Sequence, residues 1–133
     1  MDYVLIYNDS DGNSHLADQS SPMKEGDFTP PSPAGYLISE QMAAAGALMM
    51  HHPAGYLDEW HCAPAIVLGT LLQGDVRIST SDGDHRILSR GDQFLAADEH
   101  GVGHTIQEVR GEAYDLALVV LKKHPARAVE GAS

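Results

Sequence analysis

Short apolar runs rich in β-branched residues alternate along the chain with polar turns. The run from Asp75 to Thr80 places Val76 and Ile78 on one face and polar side chains on the other. This alternation predicts a half-buried strand. The run from Ala65 to Leu72 is apolar at odd and even positions alike, which predicts a strand buried on both faces or lying mainly in the core.

Tight turns divide the region between Trp60 and Thr105. They are Gln73-Gly74-Asp75, Ser81-Asp82-Gly83-Asp84 and Arg90-Gly91-Asp92. Gly and Asp turns between β-forming runs are typical of consecutive antiparallel hairpins, and their close repetition indicates a barrel or a sandwich. Because His61 and His104 stand at the two ends of this region, such a fold can bring them together in its mouth. A small-molecule pocket is therefore the first hypothesis.

The N-terminal part predicts a hairpin followed by an irregular segment. Tyr3 to Tyr7 form a β-rich run that ends in a turn cluster, and a short strand around Ser14-His15-Leu16 returns beside it. Gln19 to Pro33 contains four prolines, so we interpret it as an extended crossing segment. Gln41 to His52 has residues of good helix propensity, but its length and nearby Gly and Pro favour a strand.

The remaining apolar runs complete a series of strands. They are Gly35 to Glu40, His85 to Ser89, Gln93 to Ala97, His104 to Val109 and Tyr114 to Leu121. The pattern predicts one all-β domain spanning residues 1–133. We assign residues 1–34 to an N-terminal strand and a proline-rich arm, 35–123 to the barrel, and 124–133 to a flexible polar tail.

Composition narrows the class of protein. A chain of 133 residues with 43% hydrophobic content suits one domain that buries roughly two-thirds of its unfolded surface. No apolar run reaches the ~18 residues of a membrane span, and the start lacks the basic residues of a signal peptide. The single cysteine, Cys62, fits a reducing cytoplasm. A net charge of -11 disfavours nucleic acid and anionic membranes as partners.

Several short elements occur in a characteristic order. They are Gly12-Asn13-Ser14-His15, Trp60-His61-Cys62-Ala63-Pro64, Ser81-Asp82-Gly83, Gly91-Asp92 and Asp98-Glu99-His100-Gly101-Val102-Gly103-His104. In this order and at this spacing the sequence resembles the cupins, most closely a group of short, single-domain bacterial members. The resemblance covers nearly the whole chain. It implies a jelly-roll barrel of two antiparallel sheets.

The resemblance also implies a metal site, of which this sequence keeps a part. Cupins usually bind a metal through two histidines and a glutamate of a first motif and a histidine of a second. With Gly74 matched to the glycine that closes the first motif, His61 takes the first histidine position. Ala63 and Val67 then take the second histidine and glutamate positions, and His104 keeps the histidine of the second motif. A tightly held transition metal normally needs at least three protein ligands, and alanine and valine donate none.

His61, His104 and Asp98 are the candidate catalytic residues. A histidine titrates near neutral pH, so either ring can exchange a proton at modest cost. Asp98 ends the strand before the glycine-rich loop, where it can orient a histidine or cap the turn. His51 and His52 are adjacent, so on a strand they point to opposite faces and at most one enters the barrel. Either of them can complete a reduced metal site with His61 and His104, and of the two we assign His51.

Two functions from different classes follow. The first is a small-molecule-binding module with a decayed metal site, in which His61, Asp98 and His104 are polar groups in an apolar cavity. The loop Gly101-Val102-Gly103 then lets the backbone approach a bound group closely. The second is a small cupin enzyme of the oxygenase, isomerase or lyase type, with His61 and His104 as ligands or as acid and base. Its cofactor is a divalent Fe, Mn, Ni or Zn ion, or none.

We also expect a homodimer. The proline-rich arm contains Phe28, and the following run supplies an apolar surface that a single small barrel does not fully enclose: Met42, Leu48, Met49 and Met50. Pairing open strand edges across a two-fold axis removes an aggregation liability. The alternative is that the arm folds back over its own barrel and covers its own edge.

Overall fold

The computed structural model describes residues 1–26 and 35–126, which form β-strands and contain no α-helix. The strands are β1 (Asp2–Asn8), β2 (Ser14–Ser20), β3 (Lys24–Glu25), β4 (Leu37–Ile38), β5 (Ala44–His52), β6 (Ile66–Gln73), β7 (Val76–Thr80), β8 (His85–Leu88), β9 (Gln93–Ala96), β10 (His104–Glu108) and β11 (Tyr114–Leu121). Within the described ranges, accordingly, no helix is long and apolar enough to span a membrane.

Two sheets pack face to face around the core, and β3 and β4 form a separate two-stranded sheet. The larger has the strand order β2-β1-β9-β6-β11-β5, and the smaller has the order β10-β7-β8. The chain passes from one sheet to the other between consecutive strands. For example, β6 pairs with β9 in the larger sheet, whereas the next strand, β7, pairs with β10 in the smaller one. This arrangement confirms the predicted all-β jelly-roll fold. One detail differs, because β1 runs parallel to β9 and the larger sheet is therefore mixed.

The core between the sheets contains the apolar residues that the alternating pattern indicated. Val76 and Ile78 of β7 are fully buried, and they belong to one cluster with Leu71 of β6 and Phe94 of β9. The other face of β6 packs against a second apolar cluster on the far side of the larger sheet. The doubly apolar sequence of β6 is explained by these two clusters, one on each face.

The N-terminal hairpin belongs to the barrel itself. Since β1 lies between β2 and β9, the barrel begins with β1 and not at residue 35, the boundary that the sequence suggested. The run from Gln41 to His52 contains β5, which confirms the strand interpretation. The strand expected from Gly35 to Glu40 is shorter, since β4 has two residues. Phe28 and the prolines at 30, 31 and 33 lie outside the described residues, as do residues 127–133.

A histidine between two carboxylates joins the two sheets. His15 on β2 places Nε2 2.7 Å from Asp9 Oδ2 and Nδ1 3.0 Å from Asp82 Oδ2, in the turn after β7. The hydrogen bond with Asp9 is the largest cause of the raised pKa of His15, and Asp82 adds to it against the effect of burial. The pKa of Asp9 is lowered mainly by His15, and that of Asp82 mainly by the Thr80 hydroxyl. The charged form of this clamp is thus favoured in the folded protein.

The raised pKa of His15 predicts a pH-dependent contribution to stability. Because the folded pKa lies above the ordinary value of 6.5, the contribution is complete below that pH and is lost as the pH rises through the folded pKa. We predict that His15→Gln lowers the melting temperature more near pH 5.5 than near pH 9, as measured by circular dichroism. The control His85→Gln, at an exposed position, should have the same small effect at both. Equal losses for His15→Gln at both pH values would contradict the clamp.

Candidate functional site

His61 and His104 lie directly opposite each other. The N–H of His61 donates to the carbonyl of His104 at 3.1 Å, and the N–H of His104 donates to the carbonyl of His61 at 2.9 Å. They form an isolated antiparallel bridge between the loop before β6 and the first residue of β10. The centroids of their rings are 4.7 Å apart. The fold thus unites two histidines that are distant in sequence.

Gly103 makes this bridge sterically possible. It has a φ of 81°, and a Cβ atom at this position would lie 2.0 Å from the carbonyl oxygen of His61. Gly101 has the same relation to Gly12, whose carbonyl oxygen would lie 2.1 Å from an added Cβ. The sequence suggested that these glycines allow a bound group to approach. In the structure the backbone they admit is the protein's own.

Asp98 holds the ring of His104. The Oδ2 atom of Asp98 lies 2.6 Å from Nδ1 of His104, and the two residues are 0% and 3% exposed. Because a carboxylate accepts, Nδ1 carries a proton, and in a neutral ring Nε2 then retains a lone pair. The other carboxylate oxygen, Oδ1, is buried and bonds no described group. Of the two roles that the sequence left open for Asp98, its side chain performs the orienting one.

The loop before β6 holds the ring of His61 in a similar way. Its Nδ1 lies 2.7 Å from the backbone carbonyl of Glu59, so Nδ1 donates, and in a neutral ring Nε2 is again an acceptor. Asp58 Oδ1 lies 3.6 Å from the same Nδ1. Asp58 Oδ2 in turn accepts a 2.7 Å hydrogen bond from the backbone N–H of Ile106. Asp58 therefore ties the loop to β10 and adds a negative charge beside the histidines.

Both histidines line a cavity of about 450 Å³ between the sheets. Most of the wall is aliphatic or aromatic and comes from β5, β6, β9 and β11, with Phe94 and Leu118 among its members. Ala63 and Val67, the positions where the resemblance would put metal ligands, also belong to this wall. The cavity is therefore largely apolar, with a group of neighbouring polar side chains around His61 and His104.

His52 enters the cavity and His51 does not. The ring of His52 stacks on Tyr114 with centroids 4.4 Å apart and meets the edge of Tyr56 at 4.8 Å. Burial lowers the pKa of His52, against the opposing charge of Asp58, and its enclosed Nδ1 bonds no described group. His51 faces the other way and bonds Asp115 at 2.6 Å. Because side chains alternate between the two faces of β5, His52 lies near the site, and His51, which we assigned to the metal site from the sequence, does not.

Tyr114 and Asp58 are site residues that the sequence did not reveal. The Tyr114 side chain is buried in the cavity wall, and burial, followed by the nearby charge of Asp58, raises the pKa of its hydroxyl. Asp58 sits in an otherwise unpatterned loop, where paired acidic residues usually mean solvated surface. Their convergence depends on packing between β11, β10 and the loop, and no local motif signals it.

The donor set does not fit a tightly bound transition metal. The described residues contain no group of three or more His, Cys, Asp or Glu side chains arranged to hold a metal ion. His61 and His104 can offer two imidazole nitrogens, whereas Ala63 and Val67 offer none. Three protein ligands are the usual minimum for such a site. The structure therefore gives the metal interpretation of His51, His61 and His104 no third ligand.

Solved structures similar to this chain include the following two. Protein NMB1881 from Neisseria meningitidis is 16% identical, over 62% of this chain and 84% of that chain, with a TM-score of 0.47. A putative ethanolamine utilization protein Q from Salmonella typhimurium LT2 is 9% identical, over 93% of this chain and 98% of that chain, with a TM-score of 0.41. Neither a family model nor a curated protein sequence matches the chain. At these identities and TM-scores no family assignment follows.

The contact at Gly103 predicts a large effect of a single methyl group. Gly103→Ala should destabilise the fold by more than the ~1–2 kcal/mol that a positive φ costs alanine, because the Cβ would also meet the His61 carbonyl. Gly83→Ala is the matched control, since Gly83 has a φ of 87° and open space around it. Urea unfolding measures both. Equal losses would show that the backbone contact between Gly103 and His61 is unimportant.

Proposed function

We propose that the protein binds a small, largely apolar molecule inside its barrel. The observation that carries this proposal is the cavity of about 450 Å³, with an apolar wall and polar groups gathered at His61, His104 and Asp58. A mostly apolar pocket with a few placed polar groups is the usual form of a small-molecule site. The resemblance of the sequence motifs to cupins supports the same function, with a degenerate metal site.

An uncharged probe with a flexible apolar chain, 1-octanol, tests this function. We predict that isothermal titration calorimetry detects its binding to the wild-type protein. Val67→Phe, which adds a ring to the cavity wall, should weaken binding at least tenfold, or about 1.4 kcal/mol. Leu68→Phe is the matched control on the opposite face of β6, and it should change affinity less than twofold.

Two results of this titration would count against the proposal. The first is that the wild-type protein does not bind 1-octanol. The second is that Val67→Phe and Leu68→Phe bind it equally well, which would place the ligand elsewhere.

A specific contact favours a second candidate function, a small enzyme. The buried hydrogen bond between Asp98 and His104 fixes the imidazole tautomer, as carboxylates do for histidines that act as general bases. In this version His104 Nε2 takes a proton from the bound molecule, or His61 and His104 hold a metal. Elemental analysis of chelator-free protein separates the metal version from the others. Near-stoichiometric Fe, Mn, Ni or Zn that is lost when both histidines are replaced would contradict the proposal that the metal site is degenerate.

We further propose that the protein is a homodimer paired through β5. This strand ends the larger sheet and bonds β11 on one side, with no described strand on its other side. Its residues are exposed along almost its whole length, including Leu48 at 48% and Met49 at 80%. The strand contains no Asp, Glu, Lys or Arg, although the chain carries a net charge of -11. A second copy can meet this edge with an identical strand that also lacks these four residue types, across a two-fold axis.

Light scattering coupled to size-exclusion chromatography tests this assembly. We predict a mass of about twice 14.3 kDa for the wild-type protein at micromolar concentration and about 14.3 kDa for Met49→Lys. Leu57→Lys is the matched control, because Leu57 is also 80% exposed but lies in the loop after β5. A wild-type mass near 14.3 kDa would rule out the dimer, and a dimeric Met49→Lys would place its interface elsewhere.

A further inference from the structure

When their rings are neutral, His61 and His104 each offer the cavity an acceptor nitrogen. Nδ1 of His104 donates to Asp98, and Nδ1 of His61 donates to the Glu59 carbonyl. In a neutral imidazole one nitrogen donates and the other accepts, so Nε2 of each ring is left with a lone pair. The two rings are near neighbours, with centroids 4.7 Å apart.

The Nε2 atom of His104 is open to the cavity. His104 is a buried residue that lines the cavity, and its Nε2 bonds no described residue. The enclosed side-chain atoms without a partner in the described part are His52 Nδ1 and Asp98 Oδ1, and His104 Nε2 is not one of them. This atom is therefore not fully enclosed, and its residue lines the space where a ligand would lie.

The charges around the cavity are unfavourable for an anion. The described residues that line it include Asp58 and neither Lys nor Arg. Burial lowers the pKa of the His52 ring, which favours its uncharged form. A full charge of either sign also loses its hydration on entering a largely apolar cavity.

From these observations we infer that the site binds an uncharged molecule whose head group donates hydrogen bonds, and that an apolar chain ending in two adjacent hydroxyls fits it best. The hydroxyls donate to Nε2 of His61 and Nε2 of His104, and the apolar body lies against the wall. A carboxylate head is disfavoured, because it would face two lone pairs and the charge of Asp58. This inference names the ligand class of the proposed function and rests on it.

A series of probes with the same eight-carbon chain tests the ligand class separately from the proposed cavity function. Octane-1,2-diol, 1-octanol, octanoate and octylammonium differ in the head group, and each is titrated calorimetrically near pH 8. The diol should bind at least tenfold more tightly than octanoate, or about 1.4 kcal/mol. If octanoate or octylammonium binds as tightly as the diol, the inferred ligand class is wrong. Binding of 1-octanol would in that case still support the proposed cavity function. Failure of all four to bind would overturn both.

A pair of variants tests whether the tautomer sets this preference. The amide of Asp98→Asn can donate to Nδ1, which moves the His104 proton to Nε2 and turns the acceptor into a donor. Octanoate should then gain at least tenfold relative to the diol. Asp58→Asn also removes one negative charge but leaves the hydrogen bond between Asp98 and His104 intact, so its gain should be smaller. Equal gains would show that charge alone sets the preference, and would overturn the tautomer argument.

The tautomer itself is measurable without any ligand. Multiple-bond ¹⁵N–¹H spectra near pH 8 should show the His104 proton on Nδ1 in the wild-type protein and on Nε2 in Asp98→Asn, and they also report whether the variant is folded. A wild-type spectrum with the proton on Nε2 would overturn the inference. If Asp98→Asn does not fold, the wild-type spectrum and the four probes decide the question.

Discussion

The backbone bridge between His61 and His104 is the contact on which the candidate site depends. It joins the loop before β6 to the start of β10, and so connects a segment leading into the larger sheet with the edge of the smaller one. Gly103 is required because its position leaves no space for a Cβ beside the His61 carbonyl. Each ring is then fixed by a separate acceptor, Asp98 or the Glu59 carbonyl. Both rings are thus held by the protein's own groups before any ligand arrives.

The same arrangement gives the cavity two chemically different parts. Apart from His52 on β5, the wall contributed by β5, β6, β9 and β11 is mainly apolar, whereas the bridge and Asp58 supply polar groups. β5 contributes both to the cavity and to the edge of the larger sheet. One face presents Leu48 and His52 to the cavity, and the strand as a whole is the open edge of the larger sheet. Pairing of that edge and occupation of the cavity would therefore act on the same strand.

The sequence predicted much of the fold because its signals are local. Gly and Asp turns between short apolar runs marked the hairpins, and alternation identified the inner face of β7. The sequence could not show the parallel pairing of β1 with β9, because this pairing joins segments far apart in the chain. The site was partly predictable for the same reason. His61 and His104 stood at the ends of the turn-rich region, whereas Asp58, His52 and Tyr114 converge through packing between elements, which no motif records.

Scalar couplings across hydrogen bonds test most directly whether the backbone bridge between His61 and His104 forms. A long-range HNCO experiment on labelled protein correlates an amide nitrogen with the carbonyl carbon that accepts its proton. The structure predicts a coupling from the His61 nitrogen to the His104 carbonyl and another in the reverse direction, with slow amide exchange at both residues. Absence of both couplings, with fast exchange at His61 and His104, would mean that the bridge does not form and that the two imidazoles are not held together.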